Sequence, residues 1–435
     1  MKVSKPIFIF ITIILLLFTP CFIFAQESFH SGGVAHCDGC HTMHNSLGGK
    51  AMAKKGNSTP FQGQAYLLQG SDQSSTCLNC HAAADTVPTS YHVMTYPTPA
   101  AGQPPVEMTP GGDFAWLRKS YSWTNSDGTS DSSLGERHGH NIIASDFGYV
   151  ADSTLSYAPG GSYPSSNLSC ISCHDPHGRY RIVSGGSISV PTIGTSVPPI
   201  AGSGSYGNTP TTTQAVGAYR LLAGKNYQPK SLSGSYAFTF DSFIAVAPTV
   251  YNRSESSSDV RVAYGNNVSL WCANCHLQAH PTFGGYEHPS DQALDSGPTF
   301  TNYNAYVKTG DLTGNQATAY TSLVPFQMDQ TTDIPTLMKA ITSTAGPSSP
   351  DKVMCLSCHR AHASGWDSIS RWNNKSTFLT VAGNYPGIDA SGNGSYGEYA
   401  NGRTMAEIQA TFYGRPATVY ATYQRSLCNK CHAKD

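Results

Sequence analysis

Apolar residues are concentrated in one long run near the N-terminus, Ile7 to Phe18, and are scattered among polar residues over the rest of the 435-residue chain. Residues 183–212 and 382–402 consist almost entirely of turn formers. Helical periodicity is clearest in Thr336 to Thr342 and in Thr404 to Tyr413. The pattern predicts a coil-rich chain with few short helices and little strand, well below the usual content of both.

The N-terminal apolar run has the features of a secretory signal peptide, predicted at residues 1–25. Lys2 and Lys5 supply the basic end, and Ala25 supplies a small residue at the cleavage edge. The run is too short for a comfortable membrane span, and no later segment is apolar enough to cross a bilayer. Lipid attachment at Cys21 is an alternative, although the residues before it match a lipobox poorly. Residues 26–435 are predicted to be exported.

A short pattern, Cys-x-x-Cys-His, occurs six times and predicts covalent attachment of a c-type haem at each copy. Two intervening residues let one tight turn present both thiols to the two vinyl groups of a porphyrin, and the adjacent imidazole reaches the iron as the proximal ligand. One copy would also fit a redox dithiol or half a zinc site, but six copies in an exported chain leave little room for either. The six are Cys37/Cys40/His41, Cys77/Cys80/His81, Cys170/Cys173/His174, Cys272/Cys275/His276, Cys355/Cys358/His359 and Cys428/Cys431/His432.

The composition supports a multihaem cytochrome c and excludes several other classes. Twelve of the 13 cysteines lie in the motifs, so none remains for a disulfide framework or a cysteine-rich zinc site. A formal charge of −1 with 12% charged residues gives no nucleic-acid footprint. Some of the 26 Lys and Arg are expected to pair with haem propionates. The 24 Tyr and 17 Phe are expected to pack on a linear array of six haems, around which the coil is wrapped.

Histidines that could provide the second axial ligand outnumber the haems. Sixteen are present and six are proximal, so ten remain, and two histidines on every iron are possible without methionine. His36 and His138 are expected to be solvated rather than to bind iron, and Met43 is not expected to be a ligand. Eight candidates remain for six irons: His30, His44, His92, His140, His177, His280, His288 and His362.

The spacing of four of these candidates indicates ligation of a neighbouring haem. His44, His177 and His362 each follow a proximal histidine by three residues, and His280 follows His276 by four. On a helical turn these offsets face the same side, so such a residue is poorly placed to reach the far side of its own haem. It can reach the iron of a close neighbour. The spacing leaves open which histidine serves which haem.

Two histidines on every iron leave no open coordination position, so the chemistry reduces to one-electron exchange at low potential. The first functional hypothesis is therefore an electron conduit rather than an enzyme. A multihaem nitrite or sulfite reductase needs a five-coordinate haem, often with a proximal lysine, and no Cys-x-x-Cys-Lys occurs in the chain. A periplasmic electron store is a third possibility.

Stretches around and between the motifs resemble a known family, the OmcS-type outer-surface hexahaem cytochromes of metal-reducing bacteria. The resemblance spans the mature chain. The sequence departs from the family at Gln26-Glu27-Ser28, which precede Phe29, and at His36, where an acidic residue is usual. Among the matching stretches are Met108-Thr-Pro-Gly-Gly-Asp-Phe, Tyr227-Gln-Pro-Lys-Ser-Leu-Ser-Gly-Ser-Tyr-Ala-Phe and Cys355-Leu-Ser-Cys-His-Arg-Ala-His-Ala-Ser-Gly.

The resemblance implies bis-histidine haems, coil-rich wrapping and polymerisation into extracellular filaments on the outer surface. Such filaments carry electrons to metal oxides, to partner cells or to other multihaem cytochromes. Motifs one and six lie at opposite ends of the chain, and a head-to-tail contact that does not close generates an open filament. The resemblance also implies that His44 ligates the haem on His359 of the next subunit.

Overall fold

The computed structural model describes residues 37–42, 46–47, 50–51, 65–83, 91–176, 182–184, 187–189, 219–248, 260–284, 290–294, 297–328, 334–390 and 397–432. Turns, bends and irregular backbone make up most of these residues, which confirms the predicted coil-rich architecture. The predicted signal peptide at residues 1–25 lies outside the described residues, as do His30, His36, His44, His177 and His288.

The α-helices of the described chain are short, and the longest has nine residues. None of the helices in these ranges is long and apolar enough to cross a membrane. They are α1 (Cys37–Cys40), α2 (Gln73–His81), α3 (Val268–Cys272), α4 (Pro298–Ala305), α5 (Ile334–Ala340), α6 (Cys355–Cys358), α7 (Gly397–Ala400), α8 (Met405–Thr411) and α9 (Asn429–His432).

Both helices expected from periodicity are present, as α5 and α8. Helix α8 begins with a capping box, in which the Thr404 hydroxyl accepts the Glu407 N–H and the Glu407 carboxylate accepts the Thr404 N–H. Single 3-10 turns add Ala65–Leu67, Phe114–Arg118, Gly135–His138, Ser145–Phe147, Ser165–Asn167, Cys170–Ser172, Tyr219–Leu221, Leu277–Ala279, Gln316–Thr318, Asp367–Ile369 and Ala417–Val419.

Strands of the described chain form four antiparallel pairs of two strands each. The longest pair is a hairpin in which Tyr121 pairs with Ser133 at the open end. Its turn contains Gly128, whose φ is 83°. A positive φ suits glycine in such a turn. The pairs are β1 (Ser46–Leu47) with β2 (Lys50–Ala51), β3 (Tyr121–Thr124) with β4 (Ser130–Ser133), β5 (Ile182–Ser184) with β6 (Ser187–Ser189), and β7 (Ala245–Val246) with β8 (Ala263–Tyr264).

Buried apolar side chains form several clusters rather than one central core in the described residues. This division is consistent with a chain whose apolar surface is distributed along a series of cofactors rather than around one centre. Representative members of the four clusters are Trp366 with Phe412, Met94 with Trp116, Tyr264 with Met354, and Val246 with Leu337.

Residues 100–121 are tied to the C-terminal third of the chain by buried polar contacts. The Lys119 ammonium lies 3.1 Å from the Glu407 carboxylate, and both side chains are at most 5% exposed. The Tyr121 hydroxyl donates to Glu407 at 3.0 Å, and the Thr404 hydroxyl donates to the Gly102 carbonyl at 2.9 Å. A buried ion pair of this kind requires both partners, because removing one leaves an uncompensated charge. The two segments therefore form one structural unit.

Candidate haem-attachment sites and axial ligands

The Cys-x-x-Cys-His motifs three to six are each closed by one helical hydrogen bond. In motif three the His174 N–H donates to the Cys170 carbonyl at 3.0 Å, and motifs four, five and six make the same bond. The turn brings both cysteines and the histidine to one side of the backbone. Cys80 and Cys428 are exposed, and the nine other described attachment thiols are half-buried.

The chain leaves the helical conformation at the proximal histidine of motif five. His359 is extended, with φ of −112° and ψ of 157°, and the following residues up to His362 are not helical. His362 therefore does not share a helical face with His359, and the prediction that it does is wrong. That His362 serves the iron of another motif stays a prediction, and the positions of the imidazole rings bear on it.

Five proximal imidazoles have Nδ1 tied to a backbone carbonyl. Because a carbonyl oxygen can only accept, Nδ1 carries the hydrogen and Nε2 carries the lone pair. This tautomer is the one that an Nε2 iron ligand needs, and the bond also fixes the ring orientation. The bonds join His41 to Tyr66 (2.7 Å), His81 to Tyr91 (3.0 Å), His174 to Arg220 (2.8 Å), His276 to Pro159 (2.8 Å) and His359 to Ser368 (2.8 Å).

The accepting residue has a left-handed backbone in motifs one, three and five. The φ angles are 67° at Tyr66, 49° at Arg220 and 58° at Ser368, and the next residue in each case also has a positive φ. Outside glycine this conformation costs on the order of 1–3 kcal/mol per residue and is concentrated at functional sites. The haem motifs alone do not predict these acceptor residues. A repeated Leu-Leu-x-Gly, beginning at Leu67 and at Leu221, was the available signal for two of the three.

Two pairs of imidazoles from distant parts of the chain lie close together. The ring centroids of His140 and His276 are 6.0 Å apart, and those of His174 and His362 are 6.4 Å apart. A metal ion that binds one nitrogen of each ring at about 2 Å separates the ring centres by roughly 6 Å. Each pair therefore has the spacing for one iron between two imidazoles, and one member of each is a proximal histidine. Elsewhere in the described ranges no three His, Cys, Asp or Glu side chains converge as they would around zinc.

The second member of each pair is held in the same way as the proximal histidines. His140 Nδ1–H donates to the Ala361 carbonyl at 2.7 Å, and His362 Nδ1–H points to the Gly112 carbonyl at 3.4 Å. The backbone joins the two, since the His140 N–H donates to the His362 carbonyl at 2.9 Å. Burial lowers the pKa of His140 to about 4 and that of His362 to about 3. Both imidazoles are therefore neutral at pH 7, as metal ligands must be.

His280 and His92 are the other ligand candidates that the structure describes. His280 is almost fully buried, and its Nδ1 accepts the Thr282 N–H at 3.3 Å, which places the ring hydrogen on Nε2. Its Nε2 lies 3.7 Å from the Asp291 carboxylate. Iron ligation through Nε2 thus requires His280 to give up the Thr282 bond. The His92 ring packs 5.0 Å from the ring of Tyr91.

His138 is fully buried, so the expectation that it is solvated is wrong. Its Nδ1 bonds with the Trp116 carbonyl at 3.0 Å and its Nε2 with the Ser133 hydroxyl at 2.7 Å. Burial, helped by the nearby Arg403 guanidinium, lowers the pKa of His138 to about 4. Both ring nitrogens are engaged within the protein, which supports the expectation that His138 does not bind iron.

The attachment cysteines of successive motifs meet in two places. The Cys77 thiol donates a hydrogen bond to Cys170, and the Cys272 thiol donates one to Cys355. The bond from Cys272 is the main reason that the pKa of Cys355 is lowered to about 6. When haem is attached these sulfurs are thioethers, which have no hydrogen to donate. Each thiol hydrogen bond would then be replaced by a van der Waals contact between two haem-attachment sulfurs. Motif two therefore adjoins motif three, and motif four adjoins motif five.

Comparison with known proteins gives a relative that spans almost the whole chain. No protein-family model matches. The chain is 51% identical to C-type cytochrome OmcS of Geobacter sulfurreducens over 430 residues, which cover 94% of this chain and 95% of the relative. Two solved structures, of OmcS nanowires and of an outer membrane cytochrome S filament from the same organism, match with a TM-score of 0.83 at 50% identity. Each match covers 94% of this chain and 100% of the solved one. With half of its residues identical over nearly its full length, this protein belongs to the OmcS family of c-type cytochromes, which are electron carriers with covalently bound haem.

Proposed function

We propose that this protein carries electrons outside the cell through six closely spaced c-type haems, each with two axial histidines. Bound haem supplies one-electron exchange at its iron. The observation that carries the proposal is the spacing of the two imidazole pairs, at 6.0 and 6.4 Å between ring centres. Two imidazoles on one iron leave no position for a substrate, so electron transfer rather than catalysis follows.

His140 is the distal ligand at motif four in this proposal, and His362 is the distal ligand at motif three. The bonds from their Nδ1 atoms to backbone carbonyls orient the rings, and burial lowers the pKa of both imidazoles so that they stay neutral at pH 7. Each ligand comes from a part of the chain remote from the motif that it serves, so ligation cross-links the coil. Motifs one, two, five and six then draw their distal ligands from His30, His44, His92, His177, His280 and His288.

The protein assembles, we further propose, as a head-to-tail homopolymer at the outer surface or in extracellular filaments. This proposal is supported by the solved relatives, which are described as nanowires and as a filament. His44 ligates the haem on His359 of the next subunit, and this ligand bond fixes the contact. Residues 1–25 direct export, and residues 26–435 form one hexahaem unit. Other multihaem cytochromes are its electron partners, and metal oxides or other extracellular acceptors receive the electrons.

Mass spectrometry and carbon monoxide binding test the haem assignment together. The purified protein should carry the mass of six covalent haems, with every iron low-spin. Carbon monoxide added to the reduced native protein should leave its absorbance unchanged, because no iron has an open position. A mass that corresponds to five or fewer haems, or carbon monoxide binding by intact protein, would show the proposal to be wrong.

A further inference from the structure

Two buried serines join successive attachment motifs in the same way. Ser74 precedes the first cysteine of motif two by three residues, and Ser269 holds the same place before motif four. The Ser74 hydroxyl accepts the N–H of Cys170 at 3.1 Å, and the Ser269 hydroxyl accepts the N–H of Cys355 at 3.1 Å. Each hydroxyl also hydrogen bonds with the sulfur of the same cysteine. Both serines are at most 1% exposed.

The repetition extends to the turns that receive these bonds. In motif three the Ser172 hydroxyl accepts the Ser169 N–H at 3.0 Å, and in motif five the Ser357 hydroxyl accepts the Met354 N–H at 3.1 Å. Ser74 and Ser269, which accept the cysteine N–H groups, are each the second residue of a helix, α2 and α3 respectively. We call the contact between motifs two and three, and that between motifs four and five, the two junctions. They are far apart in the sequence but are built from the same residues in the same order. Chance packing does not explain two copies of so specific an arrangement.

We propose that Ser74 and Ser269 are positioning residues that hold the attachment sulfurs of motifs two and three, and of motifs four and five, in contact for electron transfer. This inference rests on the proposed function. An electron that crosses either junction leaves a ferrous iron, which becomes ferric, and converts a ferric iron on the other side to ferrous. No proton or other atom moves. The hydroxyl contributes by fixing the distance and orientation of two attachment points, which set the separation of the porphyrin edges.

The sixth motif shows that the serine is not a general requirement of a Cys-x-x-Cys-His turn. Its corresponding position is Arg425, and the N–H of Cys428 is instead 3.3 Å from the Ser426 hydroxyl of the same loop. The serine is present three residues before motifs two and four, whose first cysteines contact the first cysteines of motifs three and five.

The alternative is that these hydroxyls serve stability alone, since a buried N–H without a partner costs about 1–3 kcal/mol. A matched control lies in the adjacent residue. Ser75 is equally buried and lies on the same helix, and its hydroxyl accepts the Asp146 N–H at 3.1 Å and donates to the Asp72 carboxylate at 3.0 Å. Ser75→Ala therefore removes buried hydroxyl bonds of the same kind, neither of which is to an attachment cysteine.

The experiment compares filaments of the unmodified protein with Ser74→Ala, Ser269→Ala, the double variant, Ser74→Thr and Ser75→Ala. Haem content is measured by mass, spin state by electron paramagnetic resonance, haem–haem coupling by circular dichroism in the Soret region, and conductance per unit length on single filaments. The two alanine variants at the junctions should keep six low-spin haems but lose several-fold in conductance and change the coupling signal. Because the junctions lie in series, the double variant should add the two resistances, and Ser74→Thr should restore conductance.

Equal conductance in Ser74→Ala, Ser75→Ala and unmodified filaments would overturn the positioning role while leaving the proposed function intact. An equal loss in Ser74→Ala and Ser75→Ala would also overturn it, because stability alone would then explain the effect. Unmodified filaments that carry no current would instead overturn the proposed function. If Ser74→Ala fails to accumulate, Ser269→Ala tests the positioning role at the contact between motifs four and five. Ser74→Thr then tests it at the contact between motifs two and three.

Discussion

Replacing His362 with alanine tests the assignment of distal ligands directly. His362 lies three residues after the proximal His359 in sequence, but its ring is 6.4 Å from the ring of His174. The variant should therefore open the iron at motif three and leave motif five unchanged. Alanine offers no nitrogen and the position is half-buried, so the iron should lose its second imidazole and become high-spin.

The size of the effect follows from the structure, since each imidazole pair accommodates one iron. One haem in six should change from low-spin to high-spin in the integrated electron paramagnetic resonance spectrum. The reduced variant should bind one carbon monoxide per protomer, whereas the unmodified protein should bind none. His140→Ala should give the same stoichiometry at motif four, and the two substitutions together should affect two haems in six, because they act on separate irons.

Double variants identify the iron that His362 serves. His174→Ala with His362→Ala removes both ligands of one iron, so a single haem in six should still be affected. His359→Ala with His362→Ala removes ligands from two irons, so two should be affected. Protein with six haems by mass is used for both measurements. Two affected haems in the first variant, or one in the second, would refute the assignment of His362 to motif three.

Three other outcomes follow from contacts of the structure. Glu407→Gln leaves the buried Lys119 ammonium without its carboxylate and should lower the free energy of unfolding by about 3–5 kcal/mol. Denaturant titration measures this loss. A loss under about 1 kcal/mol, which is typical of an exposed ion pair, would contradict the prediction. His138 stays neutral in the folded protein down to a pH of about 4, whereas the unfolded chain binds a proton below about 6.5. Stability should therefore fall as the pH falls through this window, by up to about 1.4 kcal/mol per pH unit, and His138→Asn should flatten the dependence measured by circular dichroism. His44→Ala should give protomers with six attached haems, one without its second imidazole, that form no long filaments in electron micrographs; normal filaments would exclude an inter-subunit ligand at His44.

The attachment chemistry could be predicted from the sequence because its determinants are adjacent residues. The spacing of Cys170, Cys173 and His174 is set by the porphyrin itself, and no distant contact is needed to recognise it. Helix α8 was predictable for a similar reason, because Thr404 and Glu407 cap it locally. Both features are fixed within about one turn of backbone, which is the range over which sequence patterns act most directly.

The ligand pairs could not be predicted, because they depend on tertiary contacts. His140 and His276 come from different thirds of the chain, and no periodicity links them. The helical offset of His362 was misleading because the chain becomes extended at His359. The Nδ1 acceptors are backbone carbonyls, which every residue type offers, so a position such as Ser368 leaves no chemical trace in the sequence.

The tie between residues 100–121 and the C-terminal third has a consequence for the order in which the protein matures. The bond from Thr404 to Gly102 spans 302 positions, and that from Tyr121 to Glu407 spans 286. Contacts this far apart raise the contact order and slow folding, because a long loop must close before they form. The segment beside motif two cannot reach its final packing until the last part of the chain has been delivered. The thiols of motif two therefore lie beside a segment that stays unpacked for as long as the last part of the chain is missing.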